Sequence, residues 1–272
     1  MPVIHAIVLG IVQGLTEFLP ISSSGHLLLV PWLFHWNDLG DPEIKKAFDV
    51  ALHVGTLVAV AAYFRSDVVA LVRGGLRAVG RRPMTSDGRL AWLLVLSAVP
   101  AAFVGAIFES AIDDHLGGPV VIAVSLAVFG LFLWWADRRA GRRNTESFDA
   151  RDAMIIGAAQ VLALNPGTSR SGITMSVARV LGYERESATR LSFLMSLPVI
   201  AGAAVVKLGG LASDGIPDGL LTPMIVGTIT AGIAGWFAVW GLLRLVRTRN
   251  LDPFVWYRVA LAVLVLGVAA AR

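Results

Sequence analysis

The chain carries one polar tract twice, 147 residues apart, inside segments that are otherwise apolar. Residues 10–26 read GIVQGLTEFLPISSSGH and residues 157–172 read GAAQVLALNPGTSRSG. Gly10, Gln13, Ser22, Ser24 and Gly25 recur without a gap as Gly157, Gln160, Ser169, Ser171 and Gly172. Each copy breaks a greasy stretch with proline, glycine and hydroxyl side chains. Non-helical backbone at membrane depth is tolerated only where protein or a water-filled cavity surrounds it, because hydrocarbon offers its N–H and C=O groups no partner. Paired interruptions in corresponding halves of a membrane protein point to a binding site where the halves meet.

Composition makes the bilayer the relevant solvent. Hydrophobic residues are 56% of the 272, charged residues 15%, and the mean hydropathy is +0.72. A soluble domain has about 25% charged residues. Six apolar stretches approach the roughly 20 helical residues needed to cross hydrocarbon. They lie near 48–65, 91–109, 119–136, 190–209, 221–243 and 255–271. Residues 1–34 and 152–178 are apolar but cut by the tracts, and read as re-entrant helix–loop–helix segments. The expected fold is therefore an all-α integral membrane protein. It is an inverted-topology repeat, with one re-entrant helix–loop–helix and three transmembrane helices in each half. The halves are 1–136 and 152–272, joined by a basic cytoplasmic linker at 137–151 within a single polytopic domain. Cysteine is absent, which excludes disulfides and thiolate metal sites. No basic n-region or A-x-A site marks a cleaved signal peptide.

The net charge of +4 and pI near 9.9 are explained by topology rather than nucleic acid, because the arginines lie between apolar spans. With residues 1–34 entering from outside, 18 of the 23 Lys and Arg fall on inside segments: at 65–90, at 138–151, after the second tract, and at 244–258. The expected outside loops carry Asp38, Asp41, Glu43, Asp113, Asp114, Asp214 and Asp218. Three spans per half then place the second half upside down relative to the first.

The tracts also hold the chemistry. Gln13 and Glu17 are i and i+4, on one helix face. A carboxylate at this depth is costly unless paired. Glu17 is either a neutral acid bonded to Gln13 or a serine, or a group that binds a divalent cation or moves a proton. Ser22, Ser23, Ser24, Gly25 and His26 form either a capping turn with a spare histidine or a hydroxyl beside an imidazole base. Gly167, Ser169, Arg170, Ser171, Gly172 and Thr174 combine amides, hydroxyls and a guanidinium, which suits a phosphate. The plainer alternative for Arg170 is a salt bridge to Glu17. His53 and Asp49 are weaker candidates for lining a site, and His5, His35 and His115 look incidental. Gly227, Gly232 and Gly235 permit close helix contact, which leaves room for a homodimer.

These two motifs resemble the undecaprenyl-diphosphate phosphatases of the bacitracin-resistance type. Residues 13–26 fit the family's [E/Q]-x-x-x-E signature and P-x-S-S-[ST]-G-H stretch, and residues 166–174 fit its P-G-x-S-R-S-G-x-T stretch. The resemblance implies removal of the terminal phosphate from a polyprenyl diphosphate lipid on the periplasmic side of the bacterial inner membrane. That step recycles the carrier for peptidoglycan and confers bacitracin resistance. It further implies Glu17, with Gln13, for metal or proton transfer, Ser23 as nucleophile, His26 as its base and Arg170 as phosphate ligand. Ser22, Ser24, Gly25, Gly167, Ser169, Ser171, Gly172 and Thr174 would contact substrate. The implied cofactor is a divalent cation, Mg²⁺ or else Ca²⁺. Many relatives have Glu where this chain has Gln13. The competing reading is a polyprenyl-phosphate flippase, motivated by the repeat itself.

Overall fold

The structure, a computed structural model, describes the backbone of residues 1–38, 42–80, 83–214 and 219–272 and, within these, the side chains of all but 42–43, 109–115 and 207–214. Two short apolar helices come first, α1 (Val3–Phe18) and α2 (Ser23–Phe34), followed by α3 (Pro42–Tyr63), α4 (Arg65–Val79), α5 (Ser86–Leu116) and α6 (Pro119–Asp137). A second pair of short helices follows, α7 (Ala150–Gln160) and α8 (Arg170–Val180), and then α9 (Arg185–Asp214), α10 (Leu221–Val246) and α11 (Asp252–Ala271). At 1.5 Å per residue, α1 and α2 are only about 24 and 18 Å long. Neither reaches across roughly 30 Å of hydrocarbon. Five helices are long and apolar enough to cross: Ser86–Phe108 of α5, α6, Arg185–Val206 of α9, α10 and α11. A sixth candidate is a bent pair, Ile44–Tyr63 of α3 with α4, which turn by 90° at their junction and reach the required apolar length only together.

The segment after residue 65 is therefore a helix, where a loop is expected. Its arginines alternate with Val69, Val72, Leu76 and Val79, all exposed along one edge. That spacing is helical, and the high charge hides it from a search for spans. The acids expected outside at Asp41, Glu43, Asp113, Asp114, Asp214 and Asp218, and His115, have side chains outside the described residues. His5 stacks on Trp36 and pairs with Asp38, tying the start of α1 to the end of the α2 hairpin. His35 ends α2 with φ 56°.

Close packing explains where the short helices lie. α1 runs along α10, where a Cβ on Gly10 would stand 2.6 Å from the Gly227 carbonyl and one on Gly14 2.4 Å from that of Ala231. α7 runs along α5, where a Cβ on Gly157 would stand 2.5 Å from the Ser97 carbonyl. Each tract thus begins on a helix packed against a long helix from the other half of the sequence. α6 pairs with α11, α3 lies against both α9 and α10, and α5 also meets α9. Gly227, Gly232 and Gly235 face Leu52, Gly55 and Phe18 of the same chain, so their close approaches are made within it.

The arginine-rich end is built by specific partners. Asp137 accepts from Arg185 Nε at 2.7 Å and from the Leu251 amide at 3.0 Å. The amides of Arg142 and Arg143 donate to the Gly182 carbonyl at 2.9 Å, pinning the linker to the second half. Arg143 pairs with Asp152, to which the Tyr183 hydroxyl donates at 2.5 Å. Burial and that hydrogen bond push the Tyr183 phenol well above its ordinary range.

Candidate active site

Ser22 and Ser169 begin α2 and α8 in the same way. Both have φ 75°, with ψ 95° and 111°. Each Oγ accepts from the amide three residues on, Gly25 N at 3.3 Å and Gly172 N at 3.1 Å. A positive φ on a residue with a side chain is uncommon, and it persists only where the surroundings over-determine it. Here they do. Ser22 Oγ also accepts from the Gly167 amide at 3.0 Å, and Ser171 Oγ donates to the Leu19 carbonyl at 3.0 Å. Gly167 itself has φ 96°, and a Cβ there would stand 2.6 Å from the Ile122 carbonyl, so glycine is required. The two turns therefore touch, and the α2 and α8 N-termini open beside one another. The first amides of each, at Ser23, Ser24, Arg170 and Ser171, have no acceptor within their own helix, which favours an anion there.

Glu17 sits between the turns, 6% exposed. Arg170 Nη2 donates to its Oε1 at 3.1 Å. Its Oε2 accepts from Ser23 Oγ at 2.5 Å and from Gln13 Nε2 at 3.2 Å, with His53 Nε2 at 3.6 Å. The salt bridge weighed in the sequence is thus present, and it joins residues from the two tracts. Breaking such a buried pair from one side leaves an uncompensated charge, which is strongly unfavourable. Arg170 is further aimed by its bond to the Ser192 carbonyl at 3.1 Å. Below it, Thr174 Oγ1 donates to the Arg170 carbonyl at 2.9 Å and lies 2.7 Å from Ser192 Oγ. Ser24 Oγ lies 3.5 Å from Ser22 Oγ, and Ser169 Oγ 3.2 Å from Ser171 Oγ.

His26 is placed differently from the expectation that pairs it with Ser23. Its Nδ1 lies 2.7 Å from the Ser22 carbonyl and its Nε2 2.7 Å from the Tyr257 hydroxyl. Ser23 turns instead to the Glu17 carboxylate. The imidazole nearest Glu17 is that of His53, whose Nδ1 lies 2.7 Å from the Asp49 carbonyl and so leaves Nε2 toward the site.

Glu17, Ser23, His53 and Arg170 line one wall of a cavity of about 370 Å³, together with Ser22, Ser24, Ser169, Lys46 and Asp49. Val199, Ile200, Ala203 and Ala204 of α9 add an apolar lining. A polar head with an apolar tail matches that division. Glu17 and Asp49 offer hard oxygen donors to this cavity. Gln13 Oε1, buried beside Glu17, has no hydrogen-bond partner. Its amide orientation follows from chemistry, since the NH₂ must face the carboxylate. Glu17 is the one carboxylate of the two tracts that could ligate a divalent cation, the remaining ligands then being water and phosphate oxygens. Among the described residues no group of three His, Asp or Glu gathers to complete such a site.

Sequence reasoning misses Ser192, Tyr257 and Arg258. Ser192 acts through its carbonyl and its contact with Thr174. Tyr257 and Arg258 lie in the second turn of α11, and only the fold brings them to the tracts. Arg258, counted in the sequence among the inside arginines, is fully buried about 9 Å along the helix from its start. Arg179, likewise counted inside, is buried against the Tyr183 and Asp137 carbonyls.

Comparison with known proteins gives the family. The family described as bacitracin resistance protein BacA matches residues 6–264. An undecaprenyl-diphosphatase of Geobacter metallireducens is 48% identical over 257 residues, 94% of each chain. One of Geobacter sulfurreducens is 46% identical over 274 residues, covering the whole of both chains. One of Moorella thermoacetica is 46% identical over 270 residues, 98% of each.

Proposed function

The chain belongs to the bacitracin resistance protein BacA family, and on that footing we propose that it hydrolyses undecaprenyl diphosphate to undecaprenyl phosphate and inorganic phosphate at the periplasmic side of the membrane. The reaction recycles the lipid carrier for peptidoglycan synthesis and underlies bacitracin resistance. The observation that carries the reading is the Ser23–Glu17–Arg170 constellation, which neither tract makes alone.

Diphosphate cleavage is dominated by positioning and charge neutralisation. The Arg170 guanidinium and the amides at the starts of α2 and α8 receive the phosphate oxygens. The apolar wall of α9 receives the first isoprene units. Ser23 Oγ attacks the terminal phosphorus while Glu17, already its hydrogen-bond acceptor, takes the proton. The bond from that phosphorus to the bridging oxygen breaks, and undecaprenyl phosphate leaves with the electron pair. Water then attacks the phosphoserine, inorganic phosphate departs, and the serine regains its proton. Glu17, with Gln13 beside it, would hold a divalent cation, Mg²⁺ or else Ca²⁺, which would supply Lewis-acid neutralisation of phosphate charge. His26 keeps the Ser22 turn in place and carries no proton from Ser23 in this scheme.

The topology proposal rests on the same elements. The chain is one polytopic unit with halves 1–136 and 152–272, inverted relative to each other, and α1–α2 and α7–α8 re-entrant. Reciprocal packing supports this, with α1 on α10 and α7 on α5. The cavity meets α3 at Lys46–His53, in the half remote from Arg65, and α9 at Val199–Ala204, in the part of its apolar stretch Arg185–Val206 remote from Arg185. With arginines inside, that end faces the periplasm.

Phosphate release from undecaprenyl diphosphate by the purified protein, with the lipid product identified by mass, tests the reading. The repeat-like packing also suits a flippase. Translocation of labelled lipid without phosphate release would favour that rival.

A further inference from the structure

Arg258 lies outside both tracts, yet it touches both. Its guanidinium is fully buried, and its five hydrogen-bond partners among the described residues are main-chain carbonyls. Nε donates to Leu126 O at 3.0 Å. Nη1 donates to Pro20 O at 3.2 Å. Nη2 donates to Gly167 O at 2.8 Å and Thr168 O at 3.0 Å, with Ser125 O at 3.4 Å.

Pro20 and Gly167 occupy the same place in the two tracts, 147 residues apart and each two residues before the capping serine. One guanidinium therefore holds the equivalent carbonyl of each turn, one on each terminal nitrogen. Gly167 is gripped from both sides, its carbonyl by Arg258 and its amide by Ser22 Oγ at 3.0 Å. The residues that follow the capping serines are Ser23 and Arg170. Any slip of one turn against the other changes their separation across Glu17. Gly130 of α6 faces the Arg258 stem, and a Cβ there would meet it at 3.4 Å, an ordinary van der Waals contact.

We infer that Arg258 is the positioning residue that sets the two turns in register, acting through the Pro20 and Gly167 carbonyls. It touches none of the proposed reacting groups. A lysine would keep the charge but, with a single nitrogen, cannot hold two turns in a planar fork. The inference rests on the phosphatase reading for its kinetic consequence.

The test compares Arg258→Lys with the parent protein in phosphate release, thermal unfolding and backbone hydrogen exchange over residues 19–25 and 165–172. The expected result is a fall in kcat of about 100-fold, the scale of an ångström of misplacement. KM should stay within about threefold, since Arg170 and the apolar wall remain, and exchange in both turns should quicken together. A kcat within threefold of the parent in folded Arg258→Lys overturns the inference. So does a kcat that recovers in step when added lipid restores Tm, because that is the signature of a merely structural role. If Arg258→Lys does not fold, the parent alone keeps the inference open to refutation: exchange over residues 19–25 and 165–172 should quicken together as denaturant is raised below the unfolding midpoint, and turns that open independently overturn the inference. A parent that releases no phosphate sinks the phosphatase reading instead. Coupled exchange of the two turns would then still support the clamp, and uncoupled exchange would remove it.

Discussion

Ser22 and Ser169 share a φ of 75° and the same cap, yet their neighbours have diverged. Where the first tract has Glu17, Ser23 and His26, the second has Leu164, Arg170 and Ile173 at the matching positions. The backbone device is kept in both copies, and the chemistry is divided between them. Two identical copies would bring carboxylate to carboxylate or guanidinium to guanidinium, and like charges in a buried site cannot both stay ionised cheaply. Divergence gives one ion pair instead, with an acid and a hydroxyl on one side and a cation on the other. Gln13 and Gln160 retain the older likeness. Both are buried and both leave Oε1 without a partner. Only Gln13 has an acid beside it.

Perturbing the unmatched residues should cost most. Arg170→Gln is expected to lower kcat/KM for undecaprenyl diphosphate by about 10³-fold, the scale of losing a guanidinium that stabilises a transferring phosphoryl group. Phosphate-release kinetics check it, and a loss under tenfold would deny Arg170 that role. Ser23→Ala should cost about 10²-fold or more and abolish acid-stable label on the protein after a quench with labelled diphosphate. Label that survives the substitution would move the attack to water or another residue.

Gln13→Glu sharpens the same contrast. A second carboxylate beside Glu17 should lower the Mg²⁺ concentration for half-maximal activity severalfold, read from activity titrations after chelation. An unchanged titration would remove Gln13 from the cation site. The matched serines should differ least. Both substitutions lose a cap and a contact to a neighbouring serine, but Ser22→Ala also loses the bond to Gly167, so it should cost about 2 kcal/mol against about 1 kcal/mol for Ser169→Ala. Thermal unfolding of the two variants side by side tests that order, and equal shifts would mean the bridge between turns adds nothing.

Much of this was legible in the residues. Apolar length locates α5, α6, α9, α10 and α11, and the proline, glycine and serine breaks locate both turns. Charge in an apolar setting singles out Glu17 and Arg170. The rest depends on partners without a side-chain signature. Arg258 is held by carbonyls, which every residue has, so its charge reads as topology. His26 follows Ser23 by three residues, a helical spacing that favours contact, but its ring reaches Tyr257, 231 residues away. α4 escapes a span search because its apolar edge is one face of a charged helix.

The meeting of the two tracts is tested most directly by a double-mutant cycle on Glu17 and Arg170, with phosphate release by Glu17→Gln, Arg170→Gln and the double variant measured against the parent. If the carboxylate and guanidinium work as one unit, the double variant is about as slow as the slower single variant. Losses that multiply, each substitution acting as though the other residue were elsewhere, would contradict it.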